Sequence, residues 1–253
     1  PPVTRIVHTV DTDHGALDAV EDDAIKLARI IMRHNGASNS ERKHAAGQFD
    51  VLMRQVTGVA KARYVADFVS MLAESGEPII LFAWHREVIS IFQSRLKHLN
   101  PVLYTGTEDT AEKNRSVEKI LSGESRLMIM SLRSGLGVDR LQQKVRVVVF
   151  GELDWAPAVI EQCIGRVERD GQLDSVAAYL LVCEFGSDPI MAEALGIKRN
   201  QLEGIRNPGM QRLERLDDGQ PSIPAPARSY LQRRGIVHAI ADHRYFILGS
   251  ELL

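Results

Sequence analysis

A chain of 253 residues, 44% hydrophobic and 25% charged, can bury a full core and has the composition of an ordinary globular protein. Its formal net charge of −2 excludes a broad basic field, so any nucleic-acid contact must come from a local basic lining. Two cysteines, Cys163 and Cys183, are too few for a disulfide framework and read as core thiols in a reducing cytosol; no apolar run reaches the length of a membrane span, and no membrane partner is expected.

Residues 1–50 read as a lead-in from an interdomain region. They hold a strand-like VTRIVHTV, an acidic patch (Asp11, Asp13, Asp18, Glu21, Asp22, Asp23) and a helix rich in Ile, Leu and Ala. Carboxylates at a helix start are favoured by the helix dipole, so the patch reads as a solvated helix start. Asn35 to Asn39 reads as a loop. An amphipathic stretch follows from Val59 to Glu74, with Lys61 marking where the next domain's first helix begins.

From there apolar runs alternate with helical patterns. Pro78 to Ala83 is an apolar run of strand length, Glu87 to Leu99 is helical, and Pro101 to Tyr104 is a short strand. Ala111 to Leu121 is helical and closed by Ser122-Gly123; Arg126 to Ser131, Val145 to Phe150 and Val176 to Cys183 complete the strands. Continuous rather than alternating apolar strands imply burial on both faces, hence a mostly parallel sheet covered by helices in an α/β fold. Ligands of such sheets sit at the carboxyl ends of the strands, where the Trp84-His85-Arg86 and Ser131 loops emerge. This unit is assigned to residues 51–205. Residues 206–253 form a linker and extension: Asp217 to Arg228 is rich in Pro, Gly and Ser, Ser229 to Arg234 is helix-like, and Val237 to Leu248 suits a hairpin around Asp242-His243. No internal repeat is present.

The run QCIGRVERDGQ, Gln162 to Gln172, carries the most chemical information. On a helix Gln162, Arg166 and Arg169 would share a face. Two adjacent guanidiniums suit a polyphosphate, because each offers several fixed N–H donors and a charge that does not titrate. Arginines at this spacing more often mark a solvated helix face. Here they follow a buried-looking strand and an Asp-Trp-Ala-Pro turn, and the run stops at Asp170-Gly171.

The pattern Gln-x-x-Gly-Arg-x-x-Arg-x-Gly-Gln resembles the last conserved motif of superfamily 2 helicases, and Gly171-Gln172 points to the Swi/Snf-type branch. SLRSGLGVDRLQ (Ser131 to Gln142) resembles that family's preceding motif. VRVVVFGELDWAP (Val145 to Pro157) resembles the strand and Asp-x-x-Trp-x-Pro turn between them. Weaker similarity extends from about Gln55 to Ile205. The resemblance implies a RecA-like three-layer sandwich, the C-terminal motor domain of a DNA helicase or translocase.

Carried onto these positions, the resemblance implies that Arg169 is an arginine finger for the γ-phosphate, Arg166 its phosphate-facing neighbour, and Gln162 an orienting residue. Gly135 and Gly137 would let the loop backbone approach nucleotide or DNA phosphate, and Asp139, where the branch usually has Asn, would meet the ribose. Ser131, Arg133, Arg86 and Thr105 would contact the nucleic-acid backbone, which positions without specifying sequence. Trp84 would stack on a base or pack at the strand end, Thr107 would cap the following helix or join Thr105 and Arg115 at the backbone, and Trp155 reads as an anchor of its turn. No metal-ligand spacing occurs.

No Gly-x-x-x-x-Gly-Lys-Ser/Thr run occurs in the sequence, and the chain opens on Pro1-Pro2 rather than Met. The expectation is half of an ATPase site, inactive alone, with ATP and Mg²⁺ held mainly by an N-terminal RecA-like domain of the same protein. The expected setting is the cytoplasm, bacterial or phage-like, or otherwise intracellular. A non-catalytic RecA-like module binding DNA or a partner, and the corresponding half of an RNA helicase, remain alternative readings.

Overall fold

The computed structural model describes residues 2–32, 38–134 and 138–195. The elements run β1 (Val3–Thr9), α1 (His14–Asp18), α2 (Glu21–Met32), α3 (Asn39–Ala73), β2 (Ile79–Ala83), α4 (Arg86–Arg95), β3 (Val102–Tyr104), α5 (Thr110–Ser122), β4 (Leu127–Ser131), β5 (Val147–Phe150), α6 (Pro157–Ile164), β6 (Val176–Val182) and α7 (Asp188–Ala194). The strands form one sheet in the order β1-β6-β5-β2-β4-β3, and every pairing is parallel.

Strand side chains alternate between two cores. Ile80, Phe82, Met128, Met130, Val148, Phe150, Ala178 and Leu180 pack on one face with Val117 and Ile120 of α5, Ile160 and Ile164 of α6, and Met191 of α7. Ile79, Leu81, Ala83, Leu127, Ile129, Val149 and Leu181 pack on the other against Val65 and Val69 of α3 and Val88 and Phe92 of α4. Burial on both faces is why these strands are apolar throughout, and each fully buried Val, Leu, Ile or Phe stabilises the fold by about 1.5–3 kcal/mol. The helices begin and end on local signals. Asp109 and Glu112 form a capping box at α5, whose end is closed by Gly123 at φ 79°, and Ser38 and Glu41 form another at α3. Asp109 thus caps α5, not Thr107.

Three features depart from the sequence expectations. α3 runs unbroken from Asn39 to Ala73, so residue 50 lies inside a helix and Lys61 lies past its middle rather than at its start. β1 is an edge strand of the same sheet, with Val3 opposite Val176 and Thr9 opposite Val182. α2 packs through Ala24, Ala28 and Ile31 onto Ala45, Phe49, Met53 and Val56 of α3, with Ala16 of α1 against the same core. Residues 33–37, which include most of the expected Asn35–Asn39 loop, and the linker, helix and hairpin expected beyond residue 206 lie outside the described residues. Among the described residues no helix is long and apolar enough to cross a membrane.

Candidate functional site

The loops leaving β2, β4 and β5 meet at the carboxyl edge of the sheet. Glu152, just beyond β5, is only 4% exposed. Its Oε2 accepts the backbone N–H groups of Trp84 at 2.7 Å and His85 at 2.9 Å, and its Oε1 faces His85 Nδ1 at 2.5 Å. One carboxylate thereby ties the loop after β2 to the loop after β5. The helix α3 leaves room for it at Gly58, where a Cβ would come within 2.6 Å of Glu152 Oε1 and 2.8 Å of Val88 Cγ2.

Two residues on, Asp154 is 1% exposed. Its Oδ1 accepts the Ala156 N–H at 3.0 Å, which shapes the turn into α6. Its Oδ2 accepts Arg133 Nη2 at 3.0 Å and lies 3.6 Å from Arg54 Nη2, which also donates to the Leu153 carbonyl at 3.1 Å. Asp50, one turn before Arg54, accepts the Trp155 indole N–H at 2.8 Å. Burial pushes the Asp50 carboxyl above the usual carboxylate range, against the opposing pull of Arg54 and the indole. Trp155 packs against both the sheet core and the α1–α3 core, as an anchor. The Arg133 guanidinium lies over the Trp84 ring, 5.1 Å from its centroid, so one face of this exposed indole is already covered.

The arginine run does not form one helical face. α6 ends at Ile164 with Gly165 as its C-cap, and the bonds tighten: Arg166 N–H reaches Cys163 O at 3.3 Å and Val167 N–H reaches Ile164 O at 2.9 Å. Gln162 stays on the exposed surface of α6, while Arg166 and Arg169 project from the turns that follow. Arg166 donates through Nη2 to the Ser134 carbonyl at 2.8 Å, and its Nη1 lies 2.7 Å from Met130 Sδ. Arg169 Nη1 donates to the Val138 carbonyl at 3.4 Å and pairs with the carboxylate of Asp139. Both arginines therefore sit on the loop that leaves β4. Gln172 fastens the end of the run, its Nε2 donating to Val145 O at 2.9 Å and Val167 O at 3.2 Å. Buried beneath it, Cys163 has its thiol pushed up to about 12 by burial and donates to the Leu132 carbonyl at 3.3 Å.

The remaining expected residues are more dispersed. Gly135 and Gly137 lie outside the described residues. Ser131 ends β4, nearly buried, and its carbonyl accepts the Ser134 N–H at 3.0 Å and hydroxyl at 2.7 Å. Arg86 opens α4 and is exposed. Thr105 is buried beyond β3, with its N–H on Glu108 Oε2 at 2.5 Å and its hydroxyl shared between Thr107 at 2.9 Å and Glu108 at 3.1 Å. Burial raises the Glu108 carboxyl, yet the bonds from Thr107 and Thr105 outweigh it and hold it below its usual range. Among the described residues no group of three His, Cys, Asp or Glu side chains is placed to hold a metal ion. Sequence reasoning missed Glu152, Asp154, Arg54 and Asp50. The signal available was two carboxylates immediately after an apolar strand, where a turn to solvent is the ordinary reading.

An all-parallel sheet with helices on both faces defines a RecA-like fold. Residues 60–171 match the family described as the helicase conserved C-terminal domain. The chain is 27% identical over 154 residues to "SWI/SNF-related matrix-associated actin-dependent regulator of chromatin subfamily A-like protein 1" of Bos taurus, covering 58% of this chain and 16% of that protein. It is 28% identical over 180 residues to the protein of the same name from Drosophila melanogaster, covering 67% of this chain and 23% of that protein. The chain thus spans less than a quarter of the length of either relative. Among solved structures, "Sulfolobus solfataricus SWI2/SNF2 ATPase core in complex with dsDNA" shares its fold at a TM-score of 0.63 and 17% identity, over 81% of this chain and 46% of that one. Residues 60–171 are thus similar to a helicase C-terminal domain, and the relatives that match this chain are SWI/SNF-related proteins.

Proposed function

We propose that this domain is the second motor half of an ATP-dependent DNA helicase or translocase. One observation carries the reading: beyond the carboxyl end of β4, Arg166 bonds the Ser134 carbonyl and Arg169 pairs with Asp139. Guanidiniums gathered there present N–H donors and fixed positive charge, which fit a triphosphate entering from a facing domain. Arg169 serves as the finger that stabilises charge on the transferred phosphoryl group, Arg166 as its phosphate-facing neighbour, and Gln162 orients the cleft. The Gly135 and Gly137 backbone and Asp139 take the nucleotide's phosphate and ribose side. ATP and Mg²⁺ are held mainly by the N-terminal RecA-like domain, since the donors here are arginines and not metal ligands.

Arg133 and Arg86 grip the nucleic-acid backbone, with Ser131 and Thr105 supporting their loops. Thr105 spends its polar groups on Glu108 and Thr107, so its contribution is to shape the turn. Residues 51–205 hold the motor half's motifs, residues 1–50 add β1 to its sheet and the first part of α3, and 206–253 extend from it. Duplex DNA is the partner favoured by the Swi/Snf-type motifs, and the archaeal ATPase core that shares this fold was solved in complex with dsDNA. An intracellular location follows from that substrate; the relatives compared above are animal proteins and lend no support to a bacterial or phage-like setting.

ATP hydrolysis by the 253-residue chain, with and without DNA, tests the half-site. The expected result is no turnover by the chain and DNA-stimulated turnover by the intact protein that Arg169→Ala abolishes. DNA-stimulated turnover by the chain alone would sink the reading, because phosphate binding would then come from other residues.

A further inference from the structure

We propose that Asp154 and Trp84 are positioning residues for Arg133, holding its guanidinium as a preorganised donor to one phosphate of a nucleic-acid backbone; this rests on the role proposed for Arg133 above. The three residues come from three loops, after β2, β4 and β5, and meet at one point of the sheet edge. Asp154 is fixed before it meets Arg133, being 1% exposed with its Oδ1 committed to the Ala156 N–H at 3.0 Å. Its Oδ2 takes Arg133 Nη2 at 3.0 Å. The Trp84 main chain is fixed through its backbone N–H, which donates to Glu152 at 2.7 Å, and its ring supports one guanidinium face at 5.1 Å.

A carboxylate on one corner and an indole under one face leave the other N–H edge of Arg133 directed away. Among the described residues only Asp154 takes a hydrogen bond from Arg133, whose side chain is 50% exposed. That open edge is a planar fork, which matches the oxygens of a phosphate rather than the face of a base. Asp154 is shared between Arg133 and Arg54, so its charge is not spent on Arg133 alone. A free arginine loses rotamer freedom when it grips a phosphate, and restraint in advance removes much of that loss.

Duplex-DNA affinity of the intact protein, measured across a series of salt concentrations, tests the assignment. Arg133→Ala should weaken binding roughly tenfold. It should also lower the slope of log affinity against log salt by about 0.9, one phosphate contact. Trp84→Ala and Asp154→Asn should each weaken binding about twofold to fivefold, and Trp84→Phe should restore most of it, because a phenyl ring still offers a face to the cation. Combined with Arg133→Ala, neither substitution should add a further loss. Losses that add to that of Arg133→Ala would make the two residues merely structural and overturn the proposal, as would unchanged binding in Trp84→Ala. If Arg133→Ala itself changed neither affinity nor slope, the Arg133 contact would fall, and the positioning role with it. Should Asp154→Asn unfold the protein, the Trp84→Ala and Arg133→Ala cycle decides alone.

Discussion

The guanidinium of Arg169 rests on the carboxylate of Asp139, with the Val138 carbonyl 3.4 Å from the same nitrogen. The two side chains are 45% and 70% exposed, so solvent screens the pair and it contributes at most about 1 kcal/mol. On the role proposed for Arg169, a contact this weak would hold the arginine over the loop until a more highly charged anion takes it. In the intact protein, Arg169→Ala should therefore lower ATP turnover by about a thousandfold or more. Nucleotide affinity should change little. Steady-state hydrolysis set beside equilibrium nucleotide binding separates the two, and wild-type turnover in the variant would remove Arg169 from the chemistry.

Asp50 supplies a pH dependence whose sign follows from its surroundings. Burial raises its pKa, with Arg54 and the Trp155 indole opposing, so the folded chain holds this proton more tightly than the unfolded one. Its stabilising contribution is complete below the unfolded pKa and is lost as pH rises through the raised folded value. Asp50→Asn keeps an oxygen for the indole and removes the titration. Relative to wild type, the variant should gain stability between about pH 4 and pH 7. Denaturant titrations at the two pH values measure it, and a stability difference that is flat or runs the other way would refute the buried-acid assignment.

The strands were legible because both faces of the sheet are covered, which makes their apolar runs continuous. The placement of β1 was not, since its partner β6 begins at Val176, far along the chain, and local pattern holds no information about such pairing. α3 was underread although Ala45, Phe49, Met53 and Val56 recur at helical spacing; the intervening polar residues hid a helix buried only along one stripe. Gly165 was the available sign that Arg166 and Arg169 would leave the helix. The arginine site was proposed through family resemblance, because two arginines at this spacing are by themselves ambiguous. The Asp154 cluster was not, because Arg54 and Leu153 are separated by 99 positions and meet only in the fold.

Lys61 and Asp188 form an ion pair of 2.6 Å with side chains 1% and 3% exposed, joining α3 to α7. Lys61 Nζ also donates to the Leu181 carbonyl at 2.7 Å, and Asp188 accepts the Cys183 N–H at 3.0 Å. Lys61→Ala would leave a buried carboxylate without its cation and should cost about 3–5 kcal/mol in a denaturant titration. Replacing both members by apolar residues should cost less than Lys61→Ala alone. A single substitution with no effect would mean that water reaches Asp188.

Two glycines of α3 make opposite predictions for the same substitution. Gly47 has nothing within 4 Å of where a Cβ would stand, so Gly47→Ala should stabilise the chain by about 0.5–1 kcal/mol through helix propensity. At Gly58 the same methyl would meet Glu152 Oε1 at 2.6 Å and Val88 Cγ2 at 2.8 Å. Glu152 cannot swing aside cheaply, because its oxygens hold the Trp84 and His85 N–H groups and the His85 ring. Overpacking should outweigh propensity, and Gly58→Ala should destabilise by about 1–3 kcal/mol. It should also loosen Trp84, which intrinsic fluorescence would register. Thermal unfolding of the two variants side by side gives the comparison; equal stabilisation by both would mean that the Glu152 carboxylate is not needed where it stands, and that the loop after β2 is held by something else.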